Sequence, residues 1–206
     1  MRTSEEPVGQ PIVSFAGERV ALGPLRRDLV PLYLRWVNDL EVLQTLTALA
    51  WPITLEAEEA WYERMSTSET SATFTLYERD GLRPIGTTGL ANIDRNNRTA
   101  VFGILIGEKD CWGRGYGTEA TRLVLDYAFT GMGLHSVWLW AQASNERGLR
   151  AYRRAGFREI GRRRQAHRRG SEFEDLVLMD CLASEFESPV LRQFLMTRDP
   201  GGPVRP

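Results

Sequence analysis

The sequence contains few of the residues that build metal sites and disulfides. It has two cysteines and two histidines among 206 residues. Cys111 and Cys181 form neither a metal-binding spacing nor a disulfide framework. Unpaired cysteines are typical of a reducing compartment, so we predict a cytoplasmic protein without a metal ion.

Long apolar runs are absent as well. Residues 1–10 are polar and lack the apolar segment of a signal peptide. No apolar run approaches the ~20 residues that a transmembrane helix requires, so no membrane partner is expected. Hydrophobic residues make up 42% of the chain and charged residues 26%, which is ordinary for a globular protein.

Lysine is nearly missing. Lys109 is the only lysine among 26 basic residues, and the other 25 are arginines. The formal net charge of -1 gives no overall argument for nucleic-acid binding. Ten arginines lie between Arg147 and Arg169, and some of them could hold phosphate groups. The run from 162 to 169 could contact RNA or a second subunit, but no RNA-binding motif accompanies it, so a nucleic-acid partner is not expected.

Hydrophobic periodicity divides the chain into a leader (1–17), one mixed α/β domain (18–182) and a C-terminal tail (183–206). Predicted strands cover 18–25, 72–78, 84–93, 99–107, 135–143, 157–164 and 173–181, and predicted helices cover 29–38, 40–46, 54–66, 118–129, 144–155 and 190–196. The strands on either side of the helix 118–129 should be parallel. An arginine-rich turn is expected between the last two strands, with His167 exposed in it.

The segment from Ile104 to Phe129 predicts a strand, a glycine-rich turn and an amphipathic helix. Glycines at 113, 115 and 117 let the backbone approach an anion closely, and the N–H groups that begin the helix favour a phosphate. Arg114 could add a charge-assisted contact. The spacing also fits a turn that only links a strand to a helix. No GKS or GKT follows and the preceding strands form an antiparallel meander, which excludes a P-loop and a dinucleotide fingerprint.

A second pattern lies in the segment from Val137 to Phe157. It has the form N-E-x5-Y-x3-G-F, in residues Asn145, Glu146, Tyr152, Gly156 and Phe157. Combined with Gly115 and Gly117 of the glycine turn, and with Trp112 at the first position of that turn, it resembles the GCN5-related N-acetyltransferase (GNAT) family. The closest resemblance is to the branch of ribosomal-protein N-acetyltransferases and their detoxifying relatives. It covers about residues 18–182.

The resemblance implies a mostly antiparallel sheet of six to seven strands, splayed at a central parallel pair and flanked by about four helices. It implies acetyl-CoA as co-substrate and no metal ion. The pyrophosphate would bind the glycine turn and the pantetheine arm would follow the preceding strand. The cofactor-binding residues that it implies are Ile104, Leu105, Ile106, Trp112, Gly113, Arg114, Gly115, Tyr116, Gly117, Thr118, Asn145 and Tyr152.

The implied reaction is direct attack of a primary amine on the thioester, without a covalent enzyme intermediate. Tyr152 is the family's candidate general acid, although its position also fits core packing. Many relatives carry a glutamate two residues before the glycine of the preceding strand, where this chain has Val101. The general base therefore stays open among Glu108, Ser144 acting through water, and Asp94, which better fits a hairpin turn. Asn145 fits a helix cap equally well.

The acceptor amine is indicated only by charge and aromatic content. Seven acidic residues and two arginines lie between positions 28 and 65, which favours a cationic amine such as a polyamine, an aminoglycoside or a basic protein N-terminus, or else a solvated helix face. Aromatic side chains that could line an acceptor pocket are Trp36, Trp51, Trp61 and Tyr62. In the helix 54–66, the residues expected to face inward are Ala57, Ala60, Trp61 and Met65.

Two further readings are retained. A non-catalytic acyl-CoA-binding regulatory module is the alternative function. Four apolar residues of the tail have no evident place in the domain and predict a homodimer: Val190, Leu191, Phe194 and Leu195.

Overall fold

The computed structural model describes residues 10–46 and 51–196. Within these ranges the chain forms eight strands and six α-helices. The strands are β1 (Phe15–Ala16), β2 (Val20–Pro24), β3 (Ala72–Glu78), β4 (Pro84–Asp94), β5 (Thr99–Ile106), β6 (Ser136–Gln142), β7 (Arg158–Arg169) and β8 (Glu172–Leu182). The helices are α1 (Val30–Val37), α2 (Leu40–Leu43), α3 (Leu55–Ser66), α4 (Tyr116–Asp126), α5 (Glu146–Ala155) and α6 (Leu191–Met196).

All eight strands belong to one sheet, in the order β1-β2-β3-β4-β5-β6-β8-β7. Every neighbouring pair is antiparallel except β5 and β6, which confirms the predicted mixed α/β class. The prediction of six to seven strands was too low, because Phe15 and Ala16 of the expected leader pair with β2 as an edge strand. The parallel pair is short: residues 99–101 of β5 face residues 136–138 of β6, and the two strands part beyond Val101.

The two faces of the sheet are covered differently. On one face, α4 buries the apolar stripe that the sequence predicts, with Ala120, Leu123 and Val124 almost inaccessible to solvent. On the other face, α1 and α3 build a smaller core around Tyr33 and Trp36. Because side chains alternate along a strand, β5 contributes to both faces.

The last hairpin differs from its prediction. Strand β7 runs to Arg169, so the arginine-rich segment is strand rather than turn. The hairpin accommodates it through a register shift between Arg163 and His167. His167 is half-buried instead of exposed, and its Nε2 lies 2.9 Å from Nε2 of Gln142.

The described part of the C-terminal tail packs on the domain. Asp126 is fully buried at the end of α4. Its Oδ2 accepts hydrogen bonds from the backbone N–H groups of Val190 and Leu191 at 2.9 and 2.8 Å. Val190 packs against the larger core, so for this residue the expectation that it has no place in the domain was wrong. The side chains of Phe194 and Leu195 lie outside the described part of the chain.

Within residues 10–46 and 51–196, no helix is both long enough and apolar enough to cross a membrane. In the same ranges, no three side chains of His, Cys, Asp or Glu are grouped in a way that could hold a metal ion.

Candidate active site

A cleft of about 260 Å³ lies between the glycine turn and helix α5, at the point where β5 and β6 part. Most of the predicted cofactor-binding residues line it: Ile104, Ile106, Trp112, Gly113, Gly115, Tyr116, Gly117, Thr118, Asn145 and Tyr152. The two sequence motifs, which are separated by about thirty residues in the chain, therefore meet across one opening. Leu105 and Arg114 are the two predicted residues that do not line it.

Backbone geometry explains the glycines of the turn. Gly113 and Gly115 have φ angles of +76° and +86°, in the left-handed region that L side chains rarely adopt. Gly115 is the N-cap of α4, and a Cβ atom there would lie 3.0 Å from Nη1 of Arg19. The turn thus delivers the chain into α4 with the first N–H groups of the helix beside the cleft. Such groups bind anions through hydrogen bonds and the helix dipole.

The acidic residue in the first turn of α4 does not compete for that position. Oε1 of Glu119 accepts a hydrogen bond of 3.0 Å from the backbone N–H of Arg19, in the turn that leads into β2. Glu119 does not line the cleft. The positive end of the helix is therefore left to a ligand.

Strand β5 offers backbone groups along one wall of the cleft. Beyond Val101 its edge no longer pairs with β6, while its other edge remains paired with β4 as far as Ile106. Nε1 of Trp112 donates a hydrogen bond of 2.9 Å to the carbonyl oxygen of Ile106. Because this bond uses the carbonyl of Ile106, the backbone groups around Ile104 are the ones that remain for an extended ligand such as a pantetheine arm.

Arginines on α5 supply the positive charge of the cleft. Arg147, Arg150 and Arg154 line it. The guanidinium of Arg147 lies over the Trp112 ring, 4.0 Å from its centroid, and partial removal from water lowers the pKa of Arg147. The predicted contact from Arg114 is not formed toward the cleft, because the Arg114 guanidinium faces Glu78 at 3.6 Å. The arginine content of α5 indicated phosphate contacts, but the sequence did not single out these three.

Asn145 and Tyr152 stand at the start and in the middle of α5. Oδ1 of Asn145 accepts a hydrogen bond from the N–H of Gly148 at 2.9 Å, so the residue caps the helix as predicted. Its Nδ2 donates to the carbonyl of Thr45 at 3.2 Å, which ties α5 to the segment after α2. Tyr152 faces the cleft, and burial raises its pKa to about 12. At neutral pH the phenol therefore carries its proton.

None of the three candidate bases lines the cleft. Glu108 is held by an ion pair with Arg35 and by the indole N–H of Trp36, whose Nε1 lies 2.9 Å from Oε1. Ser144 is solvent-exposed. Asp94 accepts hydrogen bonds from the backbone N–H groups of residues 96 and 97, each at 2.9 Å, which is the hairpin role that its sequence context favours.

Comparison with known proteins identifies the family. The model of the acetyltransferase (GNAT) domain matches residues 19–158, so the chain belongs to this family. The chain is 28% identical over 138 residues to spermidine N(1)-acetyltransferase of Escherichia coli, which covers 67% of this chain and 72% of that protein. It is 25% identical over 113 residues to the uncharacterized N-acetyltransferase p20 of Bacillus licheniformis, covering 55% of this chain and 63% of that protein. The expected class, an acetyl-CoA-dependent N-acetyltransferase, is confirmed at the level of the family.

A solved structure shows the same fold. Spermidine N-acetyltransferase from Vibrio cholerae, in complex with CoA and spermine, superposes with a TM-score of 0.75 at 22% identity. The superposition covers 81% of this chain and 96% of that protein. At this level of identity the likeness shows the fold.

Proposed function

We propose that this protein transfers the acetyl group of acetyl-CoA to the primary amine of a small cationic molecule. The observation that carries the proposal is the convergence of the glycine turn, the free edge of β5 and Tyr152 on one cleft. Each supplies what one part of the co-substrate needs: an anion site, a backbone partner and a proton donor. Family membership and the named relatives support the same reaction class.

The phosphate end of acetyl-CoA fits the first turn of α4 and the arginines of α5. Backbone N–H groups and guanidinium groups both prefer anionic oxygens, and they lie on facing walls of the cleft. The pantetheine arm fits the edge of β5 around Ile104, where an extended chain can add to the sheet. A backbone N–H there is the donor that would polarise the thioester carbonyl.

Proton movements complete the reaction. The amine nitrogen forms the new C–N bond while the C–S bond breaks, so the products are an amide and CoA. An ammonium group gives up two protons on the way: one ends on the departing sulfur and the other is released to solvent. We assign the first transfer to Tyr152, because its hydroxyl is protonated at neutral pH and lines the cleft.

Within the family, we place the chain in the branch of ribosomal-protein N-acetyltransferases and their detoxifying relatives, on the strength of Trp112 and the Asn145–Phe157 pattern.

We further propose a cytoplasmic homodimer. Supporting the dimer, Trp138 and Trp140 lie against each other in a tilted arrangement on the sheet face, with ring centroids 5.4 Å apart, yet remain 36% and 38% exposed. Light scattering of the full-length protein over a series of concentrations tests it; a monomer throughout the series would contradict it.

The function is tested by measuring acetyl-CoA binding and thiol release on the same preparation. Calorimetry should show saturable binding of acetyl-CoA. Thiol release should then depend on both acetyl-CoA and an added amine, across a panel of arylalkylamines, polyamines, aminoglycosides and N-terminal peptides. Binding without thiol release for every amine would contradict catalysis and favour the regulatory module.

A further inference from the structure

A second cavity lies on the opposite face of β5 from the cleft. It has a volume of about 420 Å³ and lies among α1, the end of α2, α3 and the neighbouring strands. Its wall is mostly apolar and aromatic: Tyr33, Trp36, Leu43, Leu46, Ile53, Trp61 and Leu105. A space of this size accommodates a single aromatic ring system with a short chain.

One carboxyl group enters this apolar wall. Glu58 lines the cavity and is 5% exposed, the most buried residue of α3. Within the described ranges, no hydrogen bond or ion pair reaches its carboxyl group, and burial raises the pKa of Glu58. An acidic group kept in such a place without a partner is costly. A cationic ligand group would supply the missing partner.

Four of the other six acidic side chains of this region already have ion-pair partners. Glu63 pairs with Arg27, and Asp28 pairs with Arg26. Lys109 lies 2.9 Å from both Asp39 and Glu41. The acidic character that the sequence shows between positions 28 and 65 is therefore largely neutralised in the fold.

The one buried charge that lines the cavity is therefore negative. Glu56 and Glu59 are exposed on the outer side of α3 and do not line the cavity. Arg64 lines it, but its side chain is exposed to solvent, where its charge is screened. A linear polyamine carries several charges and would leave most of them unpaired here.

The cavity and the cleft adjoin along two borders. Ile104 and Ile106 line the cleft, whereas Leu105 between them lines the cavity, so β5 is a wall of both. Thr45 lines the cleft and Leu46 lines the cavity. The amide Nε2 of Gln142, at the end of β6, donates a hydrogen bond of 2.6 Å to the carbonyl of Leu46. Strand β5 therefore lies between a site for the acetyl donor and a space for an acceptor.

From this arrangement we infer that the acceptor is a primary amine on an apolar, aromatic-sized body, bound in the cavity with its ammonium group against Glu58. This inference rests on the proposed acetyl transfer and narrows its substrate class. Aromatic walls suit both the ring of such a molecule and its cation. Glu58 is the specificity-determining residue, because it is the one buried charge that distinguishes an amine from a neutral aromatic compound.

The first experiment compares amines by thiol release from acetyl-CoA with the full-length protein. 2-Phenylethylamine and tryptamine should each show a kcat/KM at least tenfold above that of spermidine. A kcat/KM for spermidine equal to or above those values would overturn the inference while leaving acetyl transfer itself intact. An N-terminal peptide preferred over both arylalkylamines would overturn it in the same way.

The second experiment changes Glu58 alone. Glu58→Gln should lower kcat/KM for 2-phenylethylamine at least tenfold, with the Kd of acetyl-CoA within twofold of wild type. Glu59→Gln removes the same charge from an exposed neighbour on the same helix and should stay within twofold throughout. Equal kinetics for Glu58→Gln and wild type would contradict the role of Glu58. Ala57→Phe, at the rim of the cavity, should weaken binding of 2-phenylethylamine by obstructing the cavity. This variant tests the cavity independently, so the test stands if Glu58→Gln folds poorly.

A third measurement does not need turnover. Tryptophan fluorescence of the wild-type protein, titrated with 2-phenylethylamine without acetyl-CoA, should change saturably because Trp36 and Trp61 line the cavity. The response should be lost in Glu58→Gln. If no amine releases thiol but this titration saturates, the proposed catalysis fails and the cavity assignment stands. If the titration shows no saturable change, the cavity assignment fails by itself.

Discussion

The two sides of β5 hold sites of opposite construction. The cleft is made of backbone N–H groups, glycines and arginines, which suit a polar, extended ligand. The cavity is made of aromatic and aliphatic side chains with one buried carboxyl group. In the proposed function the cleft binds the acetyl donor through a fixed backbone path, and the cavity binds the acceptor amine through side chains.

The largest expected effect lies on the cleft side. Tyr152→Phe should lower kcat at least tenfold and up to about a hundredfold, because general acid catalysis typically contributes 10²–10⁴-fold. The Kd of acetyl-CoA should remain within twofold, since the change removes one hydroxyl and keeps the ring between Phe102 and Phe157. Steady-state kinetics and calorimetry measure the two quantities. Tyr62→Phe makes the same chemical change outside the cleft and is the matched control.

The pH profile gives an independent view of the same residue. Burial raises the pKa of Tyr152 to about 12, so wild-type kcat should show no falling limb between pH 7 and about 10 from loss of this proton. Unchanged turnover in Tyr152→Phe would remove Tyr152 from its assigned role. A limb near pH 8.5 that the phenylalanine variant abolishes would instead keep the role and contradict the raised pKa of Tyr152.

A backbone change should affect donor binding next. Gly115→Ala places a Cβ on a residue with a φ of +86°, where L residues are strained by about 1–2 kcal/mol. Relief of this strain moves the backbone N–H groups of the turn away from their ligand position, so the Kd of acetyl-CoA should rise about tenfold, while arylalkylamine binding followed by fluorescence stays unchanged. Gly161→Ala is a control because its Cβ would meet nothing within 4 Å. Equal donor affinity in the two variants would show that the turn does not bind the pyrophosphate.

A smaller effect is expected from a single charge. Arg147→Gln should raise the Kd of acetyl-CoA about three- to fivefold and weaken its dependence on salt, since one exposed cation is partly screened. Arg163→Gln, exposed on β7 away from the cleft, should leave both unchanged. A loss of equal size in the two variants would mean that net charge, and not the cleft, attracts the donor.

The smallest expected effect is a change in thermal stability caused by a substitution in the cavity. Burial raises the pKa of Glu58 above its ordinary value of 4.5, so the unfolded chain ionises first as pH rises and the folded state is progressively disfavoured. Glu58→Gln should therefore increase Tm at pH 7.5 by about 2 °C, with the difference vanishing near pH 4. Differential scanning fluorimetry measures both. A lower Tm for the variant at pH 7.5 would show that Glu58 has a stabilising partner and no vacant counter-ion role.

The sequence predicts the residues of the cleft better than those of the cavity. Gly115, Gly117, Asn145 and Tyr152 act through backbone geometry and helix position, which a short motif specifies, and they meet in the fold as predicted. The sequence placed Glu58 among seven acidic residues that fit either a rim for a cationic amine or a solvated helix face, and it did not single out Glu58 as buried. The inward prediction was wrong for Ala60, which is exposed, whereas Ala57 is exposed but lines the rim of the cavity. The spacing of Glu58 with Trp61, Tyr62 and Met65 did carry the signal of a shared helix face. The many acidic residues of helix α3 obscured this spacing in the sequence.

Long-range contacts account for the other differences. Whether His167 lies in a turn or a strand depends on pairing with β8 and on the contact with Gln142, neither of which local sequence encodes. The same holds for the tail. The buried side chain of Asp126 accepts hydrogen bonds from the backbone N–H groups of Val190 and Leu191, which lie more than sixty residues later in the chain. Such contacts join distant segments, and a single sequence does not show which segments meet.

The scarcity of lysine has a practical consequence for a protein that handles an activated acyl group. Hydrogen bonds that Lys109 donates to the carboxylates of Asp39 and Glu41 raise the pKa of Lys109, so this side chain stays an ammonium group and a poor nucleophile. Burial raises the pKa of both thiols, Cys111 and Cys181, to about 11, and guanidinium groups do not deprotonate. The side chains of the protein thus offer few acceptors for its own acetyl donor. Thiol release in the assays above therefore reports transfer to the added amine rather than self-acetylation.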